Sequence, residues 1–285
     1  MFDLTHQLII TLPEGEQIII PTDFTVTFNI ARQNFSASAN NATFNIYNLS
    51  SENRNKINKD AYNINRYIRL EFFVGYGSNI TSIYKGSIVQ AQTKPNGNDN
   101  VTELESQDGM FDIINTRTNV AFAAGTKIIE ILNRLVADFP NIQMGASGEI
   151  TEGSFKRPFV TEGNTHEAIR TITNENVNID QEKINFLKDK EVLKGQAVVI
   201  SPETGLASVT KQDTMLKIVT KVLVLNVNIG SVVDLISNRT AIYNGQYKVV
   251  GIEHSGTISR GVNSATSSII TVLDTNSRFG ETKQV

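Results

Sequence analysis

The sequence predicts a mainly β protein in which two β-rich regions flank a small helix-containing α/β segment. Apolar and polar residues alternate with a period of two through the first and last thirds of the 285-residue chain, which is typical of strands that bury one face. Only the middle third changes to helical spacing. We therefore predict a β-barrel or sandwich over residues 1–120, an α/β segment over 121–190 and a second barrel or sandwich over 191–285.

The first β-rich region contains three alternating segments and one hairpin signal. Every second residue is apolar in segments 23–30, 42–47 and 69–76, so each segment is predicted to be a strand. A turn-forming cluster follows at 95–100, where Asn96-Gly97 tolerates the positive φ angles of a tight turn. The segments on either side of this cluster are therefore predicted to pair as a hairpin.

The middle segment contains the clearest helix signal. Residues 127–139 place apolar side chains at the i, i+3, i+4 and i+7 positions, which predicts an amphipathic helix. Thr126 precedes this run as a candidate N-cap, and Pro140 is expected to end the helix.

A second, shorter helix is predicted over residues 166–173. Asn164 and Glu167 have the spacing of a capping box at its start. Residues 144–156, between the two helices, contain several glycines and polar residues, so we predict a loop there.

The last third returns to strand patterns. Residues 216–225 are apolar at many positions of both parities, which predicts a strand in the centre of a sheet or at an interface. The segment 243–247 contains Asn244-Gly245, a hairpin signal. Strands are predicted to follow over 248–254 and 268–273.

Composition excludes several functional classes. Hydrophobic residues make up 40% and charged residues 19% of the chain, which is typical of globular proteins. The formal net charge of −3 lacks the basic excess that phosphate neutralisation requires, so specific nucleic-acid binding is not expected. The absence of cysteine excludes disulfides and Cys-ligated metal sites.

The sequence contains neither a secretory nor a membrane-spanning signal. The first residues lack a basic segment followed by an apolar one, so we expect the protein to be made and kept in a cytoplasm. The most apolar run, residues 216–229, is interrupted by Lys and Asn and falls short of the roughly 20 apolar residues of a spanning helix. No membrane-spanning segment is predicted.

The search for catalytic chemistry finds no specific motif. The three histidines, His6, His166 and His254, are far apart in sequence and lack the spacing of a metal site. Glu103 and Glu105 share one strand face and could form an acid–base pair, but a solvated strand face has the same pattern. We therefore predict no catalytic, cofactor-binding or metal-binding residues and favour a structural or binding protein over an enzyme.

Several segments, taken in order, are similar to one family. They begin with a strand and a polar helical turn, continue with two strands around a Gly-Tyr pair, and end with two glycine-containing turns. These segments are 44–57, 69–76, 83–88, 202–206, 244–249 and 254–256. The ordered series resembles phage tail baseplate central hub proteins, the late control protein D or tail-tube-like hub superfamily, related to the N-terminal part of type VI secretion spike proteins.

The resemblance implies a specific architecture and set of partners. Each subunit would contain two barrels similar to the tail-tube protein, and a homotrimer would present six barrels in a ring. Such a hub would join the hexameric tail tube to the trimeric central spike in the baseplate of a contractile-tailed phage virion. The tail tube protein and the central spike protein are the implied partners, with tape-measure and baseplate wedge proteins as further candidates. DNA would pass through the lumen without specific binding.

Two alternatives remain open from the residues alone. A carbohydrate-binding or adhesive β-sandwich is one, although the chain has no Trp to stack on sugar rings. A glycan hydrolase that uses Glu103 and Glu105 is the less favoured alternative. Glycan binding would support the first, and turnover abolished by Glu103→Gln would support the second.

Overall fold

The computed structural model describes residues 4–34, 40–260, 265–273 and 283–284. Antiparallel strands dominate these residues, which confirms the predicted mainly β class. The strands of the first region are β1 (Leu4–Thr11), β2 (Gln17–Pro21), β3 (Val26–Gln33), β4 (Asn41–Tyr47), β5 (Arg69–Tyr76), β6 (Asn79–Asn96), β7 (Asp99–Gln107) and β8 (Arg117–Phe122). The helices are α1 (Ser51–Ile57), α2 (Met110–Asn115), α3 (Ile128–Val136) and α4 (Thr165–Thr173).

The middle and last parts of the chain contain shorter strands and two long ones. The middle strands are β9 (Gln143–Ser147), β10 (Phe159–Asn164), β11 (Asn178–Asp180), β12 (Lys183–Phe186) and β13 (Glu191–Val192). The last region contains β14 (Val198–Ile200), β15 (Leu206–Gln212), β16 (Met215–Thr220), β17 (Val232–Leu235), β18 (Gly245–Ile258), β19 (Ala265–Leu273) and β20 (Lys283–Gln284). Within the described ranges, no helix is long and apolar enough to cross a membrane.

One large sheet runs through both β-rich regions. Its strand order is β15-β16-β19-β18-β3-β4-β7-β6-β5-β1-β2. In addition, β17 pairs with β18, and β14 pairs with β17. The two regions meet where β3 pairs antiparallel with β18, from Val26 opposite Ile258 to Gln33 opposite Gly251. A ladder of hydrogen bonds therefore connects regions that are far apart in sequence.

Three separate apolar cores lie beneath these elements. The first collects alternate side chains of β1 to β7, including Phe28 and Phe44, whose rings lie 5.0 and 5.1 Å from that of Phe72. The second is built by the strands of the last region, and the third by α3, α4 and the middle strands. Strand β18 contributes Ile252 to the second core and Ile258 to the first. Period-two alternation thus places one face of each long strand in a core.

The hairpin predicted around residues 95–100 is confirmed. Asn96 lies opposite Asp99, so only Gly97 and Asn98 connect β6 to β7. Gly97 has a φ of 61°, a value that a glycine adopts without steric cost. The turn therefore sets the register of the two longest neighbouring strands of the first region.

The first predicted helix is confirmed, but it ends at Val136 instead of at Pro140, and its predicted N-cap is wrong. Helix α3 follows Lys127, whose side chain makes no capping hydrogen bond. The hydroxyl of Thr126 instead donates to the carbonyl of Ala123 at 2.8 Å, within the preceding turn. The buried stripe of α3 is the predicted one and includes Leu132 and Leu135.

The second predicted helix and its cap are also confirmed. The Oδ1 atom of Asn164 accepts a hydrogen bond from the backbone N–H of Glu167 at 3.1 Å. The Glu167 carboxylate accepts from Arg170 at 3.0 Å, one turn further along α4. The cap thus satisfies one of the free N–H groups at the start of the helix.

The prediction of a loop over residues 144–156 is wrong in its first part. Strand β9 lies there and pairs parallel with β12, and Glu149–Thr151 forms a short 3-10 turn. Gly145 permits this pairing because a Cβ atom at that position would lie 2.3 Å from Oδ1 of Asn185. The glycine that indicated a loop therefore marks a close approach between two strands.

The long apolar segment 216–225 is only partly a strand. β16 ends at Thr220, whose hydroxyl donates to the carbonyl of Val222 at 2.7 Å. Beyond it, Leu223 packs in the first core and Val224 packs against the second. The segment is apolar at both parities because the chain leaves the sheet and passes between two cores.

The tight hairpin predicted at 243–247 is wrong as well. β17 does pair with β18, but Leu235 lies opposite Gly245, and the connection spans residues 236–244 with a 3-10 turn over Ala241–Tyr243. Gly245 is the first residue of β18 instead of a turn residue. The strand predicted after it is confirmed within β18, and the final predicted strand lies within β19.

Candidate functional site

The two carboxylates considered for catalysis lie on a solvated strand face. Glu103 and Glu105 are both on β7, where Glu103 is half-buried and Glu105 is exposed. The Glu103 carboxylate accepts from Nζ of Lys94 at 2.5 Å across the hairpin. This is a cross-strand ion pair of the kind found on exposed sheet surfaces.

The three histidines are not brought together. His6 faces the first core, where its ring lies 6.0 Å from that of Phe72 and burial lowers its pKa to about 4. His254 is buried in β18, its Nδ1 lies 2.8 Å from Oγ of Ser268, and burial lowers its pKa to about 3. His166 belongs to α4. Among the described residues, no group of three or more His, Asp or Glu side chains is arranged to hold a metal ion.

A buried junction of the three regions contains a cluster of polar side chains. Its centre is the ion pair between Arg32 of β3 and Asp180 of β11, whose side chains are 1% and 4% exposed and whose closest atoms lie 3.2 Å apart. The Arg32 guanidinium also donates to the carbonyl of Val227 at 2.8 Å and to Oδ1 of Asn228 at 3.3 Å. The first, middle and last regions therefore meet at one arginine.

Asp180 is satisfied from all sides. Its carboxylate accepts from the side-chain amide of Asn40 at 3.3 Å and from the backbone N–H of Ile229 at 3.1 Å, in addition to Arg32. A buried carboxylate is tolerated only with such partners.

A second buried carboxylate holds the turn that follows Asp180. Gln181 and Glu182 connect β11 to β12 with φ angles of 54° and 59°, which are unfavourable for residues with a Cβ. The carboxylate of Asp108 accepts from both of their backbone N–H groups, at 2.6 and 2.9 Å. Burial, together with the nearby charge of Asp180, raises the pKa of Asp108 to about 7.

An ion-pair network continues from this turn onto the first region. The Glu182 carboxylate accepts from Nε of Arg69 on Oε1 at 3.0 Å and from Nη2 on Oε2 at 2.7 Å, a bidentate contact. Arg69 also lies 3.3 Å from Glu71, and Glu71 pairs with Lys85 at 3.0 Å. Two side chains of the first region, Asp108 and Arg69, thus hold the turn of the middle segment.

The connection from the middle segment to the last region is fixed in the same way. The buried Nζ of Lys248 donates to the carbonyls of Lys188 and Asp189 at 2.8 and 3.1 Å, and burial lowers its pKa to about 8. The buried carboxylate of Glu191 accepts from the backbone N–H groups of Glu149 and Lys188 at 2.6 and 2.8 Å. These bonds hold residues 188–191, which lead from the middle segment to the last region, against β18 and against the 3-10 turn that begins at Glu149.

The sequence carried an overlooked signal for this junction. Phe28, Ile30 and Arg32 share one parity in β3, so the pattern places a guanidinium on the face that the other two bury. A charged residue at such a position indicates a buried partner. Its partner, Asp180, is too far away in sequence to be identified without the fold.

Comparison with known proteins establishes the family. A family model described as baseplate hub gp41 matches residues 6–263. The chain belongs to this baseplate hub family. The resemblance inferred from the sequence is thereby confirmed, and the protein is a structural component of the phage tail. No curated protein sequence is significantly similar to the chain.

Solved structures share the fold along almost the whole hub chain. The tail protein of Neisseria meningitidis has a TM-score of 0.62 at 10% identity, with 97% of this chain and 99% of that chain covered. The 43 kDa tail protein of prophage MuSo2 from Shewanella oneidensis has a TM-score of 0.61 at 9% identity, with 98% and 100% covered.

A secretion protein also shares the fold. This Escherichia coli component of the type VI secretion system has a TM-score of 0.58 at 9% identity, with 96% of this chain and 79% of that chain covered. It is described as structurally similar to bacteriophage T4 tail proteins gp27 and gp5. The fold of the hub chain is thus shared by tail proteins and by a component of the type VI secretion system.

Proposed function

We propose that the chain is the homotrimeric central hub of a contractile phage tail, where it joins the hexameric tail tube to the trimeric central spike. The observation that carries this proposal is the family match over residues 6–263, which spans the two β-rich regions and the middle segment. In this proposal, residues 1–120 and 191–285 are the two tube-like units of each subunit. Three subunits then form a ring of six units, with the hexameric tube on one side and the trimeric spike on the other.

The geometry of the chain supports such a joint. Each β-rich region has its own apolar core, and the β3–β18 ladder and the Arg32–Asp180 junction connect the two regions. A part that transmits load between a tube and a spike requires a fixed angle between its units. Buried charged groups that satisfy one another provide that angle because any rotation would leave them unpaired.

The proposal extends to partners and location. The hub contacts the tail tube protein and the central spike protein, with tape-measure and baseplate wedge proteins as further candidates. It is synthesised in the host cytoplasm, assembled into the virion baseplate and performs no catalysis. The net charge of −3 suits a lumen through which polyanionic DNA slides without adhering.

Mass photometry of the full chain tests the assembly. The chain is measured alone and after mixing with a candidate central spike protein, and we expect a species of three subunit masses of 31.4 kDa each. Electron microscopy of this species should show six barrel-like units around one lumen. A chain that stays monomeric at high concentration with the spike protein present would contradict the hub proposal.

A further inference from the structure

The chain contains two Asn-Gly pairs, Asn96-Gly97 and Asn244-Gly245. Asparagine is chemically labile in proteins, and most of all before glycine, because glycine has no Cβ to keep its backbone nitrogen away from the asparagine side chain. The two pairs therefore have the same intrinsic reactivity. The fold places them in different environments.

Asn96-Gly97 lies at the exposed tip of the β6–β7 hairpin. All residues from 95 to 100 are exposed, and Gly97 has a φ of 61°. The side-chain amide of Asn96 and the backbone N–H of Gly97 make no hydrogen bond with any residue that the structure describes. Both groups that would react with each other are thus accessible to water and free of partners.

The end of β6 that carries Asn96 is paired on one side only. The pairing with β5 covers residues 79–87, and the bridge between Lys59 and Ala91 is the last backbone pairing on that side within the described ranges. Residues 92–96 pair with β7 alone. A strand end with one neighbour opens at low free-energy cost, so the backbone of Asn96 can rotate as an attack on its side chain requires.

Asn244-Gly245 is held by the surrounding structure. Oδ1 of Asn244 accepts a hydrogen bond from the backbone N–H of Ser237 at 2.7 Å, and the backbone N–H of Asn244 donates to the carbonyl of Ala241 at 3.0 Å. Gly245 is the first residue of β18 and lies opposite Leu235 of β17. The pair is also half-buried. The same reaction at Asn244 would require these contacts to break first.

We propose that Asn96 is a site of spontaneous deamidation and that the fold protects Asn244 from the same reaction. The backbone nitrogen of Gly97 loses its proton and attacks Cγ of Asn96. The new N–Cγ bond closes a succinimide ring, the Cγ–Nδ2 bond breaks, and ammonia leaves with the proton. Water then adds to either carbonyl of the ring and opens it, which leaves aspartate or isoaspartate at position 96.

The reaction changes the hairpin tip in two ways. Each modified chain gains one negative charge, next to Asp99, which lies opposite Asn96. The isoaspartate product also carries an additional methylene in the backbone, where Gly97 and Asn98 alone connect the two strands. The modification depends on the contacts of one chain and not on the trimeric assembly.

Peptide mass mapping of the full chain tests the proposal. The purified protein is kept at mildly alkaline pH in water enriched in ¹⁸O, and samples taken over time are digested with trypsin in ordinary water. Asn96 lies in the tryptic peptide 86–117 and Asn244 in the peptide 240–248. The oxygen that replaces the amide comes from water, so deamidation during the incubation differs in mass from deamidation during digestion.

We expect Asn96 to react at least about tenfold faster than Asn244 in the folded protein. Unfolding in concentrated guanidinium chloride provides the internal control, because the two pairs should then react at similar rates. Equal rates in the folded protein would overturn the proposal. So would an Asn96 that reacts only after unfolding.

Variants assign the reaction to one residue. Asn96→Gln keeps an uncharged amide but lengthens the side chain, so the five-membered ring cannot form and peptide 86–117 should keep its mass. The matched control, Asn98→Gln, changes another exposed asparagine of the same turn and should leave the rate at Asn96 unaltered. An undiminished mass increase in Asn96→Gln would refute the assignment. None of these outcomes bears on the trimer, which mass photometry measures independently.

Discussion

The guanidinium of Arg32 and the carboxylate of Asp180 lie 3.2 Å apart at a point where fewer than 5% of either side chain meets solvent. Arg32 belongs to β3, the strand of the first region that pairs with β18, and Asp180 belongs to the middle segment. The last region contacts the same arginine, because the carbonyl of Val227 accepts a hydrogen bond from the Arg32 guanidinium. The relative placement of the three regions therefore rests on a polar junction as well as on apolar packing.

Removing Arg32 should destabilise the protein strongly. Arg32→Met leaves Asp180 as a buried charge without its cation, and we expect the free energy of unfolding to fall by about 3–5 kcal/mol. Urea denaturation measures this change. The matched control is Arg260→Ala, which breaks an exposed ion pair with Asp23 and should change stability by less than about 1 kcal/mol. Similar losses in the two variants would show that the junction is not the stabilising contact.

His6 should make the protein sensitive to acid. Neither ring nitrogen has a hydrogen-bond partner among the described residues, and burial lowers the pKa to about 4. Between pH 6.5 and 4 the unfolded state binds a proton that the folded state excludes, so stability falls as the pH falls through this window. His6→Leu removes this loss. The free energy of unfolding of the variant minus that of the wild type should therefore be roughly 2 kcal/mol larger at pH 5 than at pH 8. Thermal unfolding at both pH values measures it, and equal differences would contradict it.

Asp108 should have the opposite pH dependence. Its folded pKa of about 7 lies above the ordinary value, so the folded state holds a proton between pH 4 and 7 that the unfolded state has lost. This contribution is present at low pH and is lost as the pH rises toward 7. Relative to Asp108→Asn, the wild type should therefore lose stability from pH 5 to pH 8. A wild-type curve parallel to that of the variant in urea denaturation would refute this prediction.

Helix α3 should stabilise its own core and not an interface between subunits. Leu132 is fully buried in the third core, so Leu132→Ala should cost about 2–5 kcal/mol and lower the thermal midpoint. Arg134 is half-exposed and pairs with Asp138, and Arg134→Ala should change stability by no more than about 0.5 kcal/mol. If Leu132→Ala abolished assembly in mass photometry without lowering the thermal midpoint, α3 would belong to an interface.

The glycine in the hub-like Gly75-Tyr76 pair should be intolerant of substitution. A Cβ atom at Gly75 would lie 1.8 Å from the backbone oxygen of Asn79, on the neighbouring strand β6. Backbone cannot move aside as a flexible side chain can, so Gly75→Ala should cost about 1–3 kcal/mol or more. Gly15→Ala, at a position with open space and a φ of 88°, isolates the cost of backbone strain alone. A loss below about 0.5 kcal/mol for Gly75→Ala in urea denaturation would contradict the steric explanation.

Local patterns predicted β3 to β7, β16, β18, β19 and both longer helices because these elements depend on neighbouring residues, whereas the other strands were not predicted. The alternation in 69–76 coincides with β5, and Asn96-Gly97 lies at the turn between β6 and β7. The same patterns were misleading where tertiary contacts, and not neighbouring residues, determine the backbone conformation. Gly145 was interpreted as part of a loop, although it lies in a strand, and residues 221–225 were interpreted as a strand, although they cross between cores.

The candidate site was predictable only in part. The parity of Arg32 on β3 was visible in the sequence, but neither Asp180 nor Asn228 carries any local signal of a partnership with it. Their partnership spans more than a hundred residues of chain, and no periodicity extends that far.

The sequence by itself determined the mainly β class, the position of the helical segment and the hub family, since each depends on short-range patterns and their order. Only the tertiary structure decided that β3 pairs with β18, that three cores form instead of one, and that a buried ion pair joins the three regions. The physical reason is that pairing and burial depend on which surfaces remain free after local structure forms. Which of those surfaces pair depends on the path of the whole chain. Periodicity indicates only which face of each element is buried.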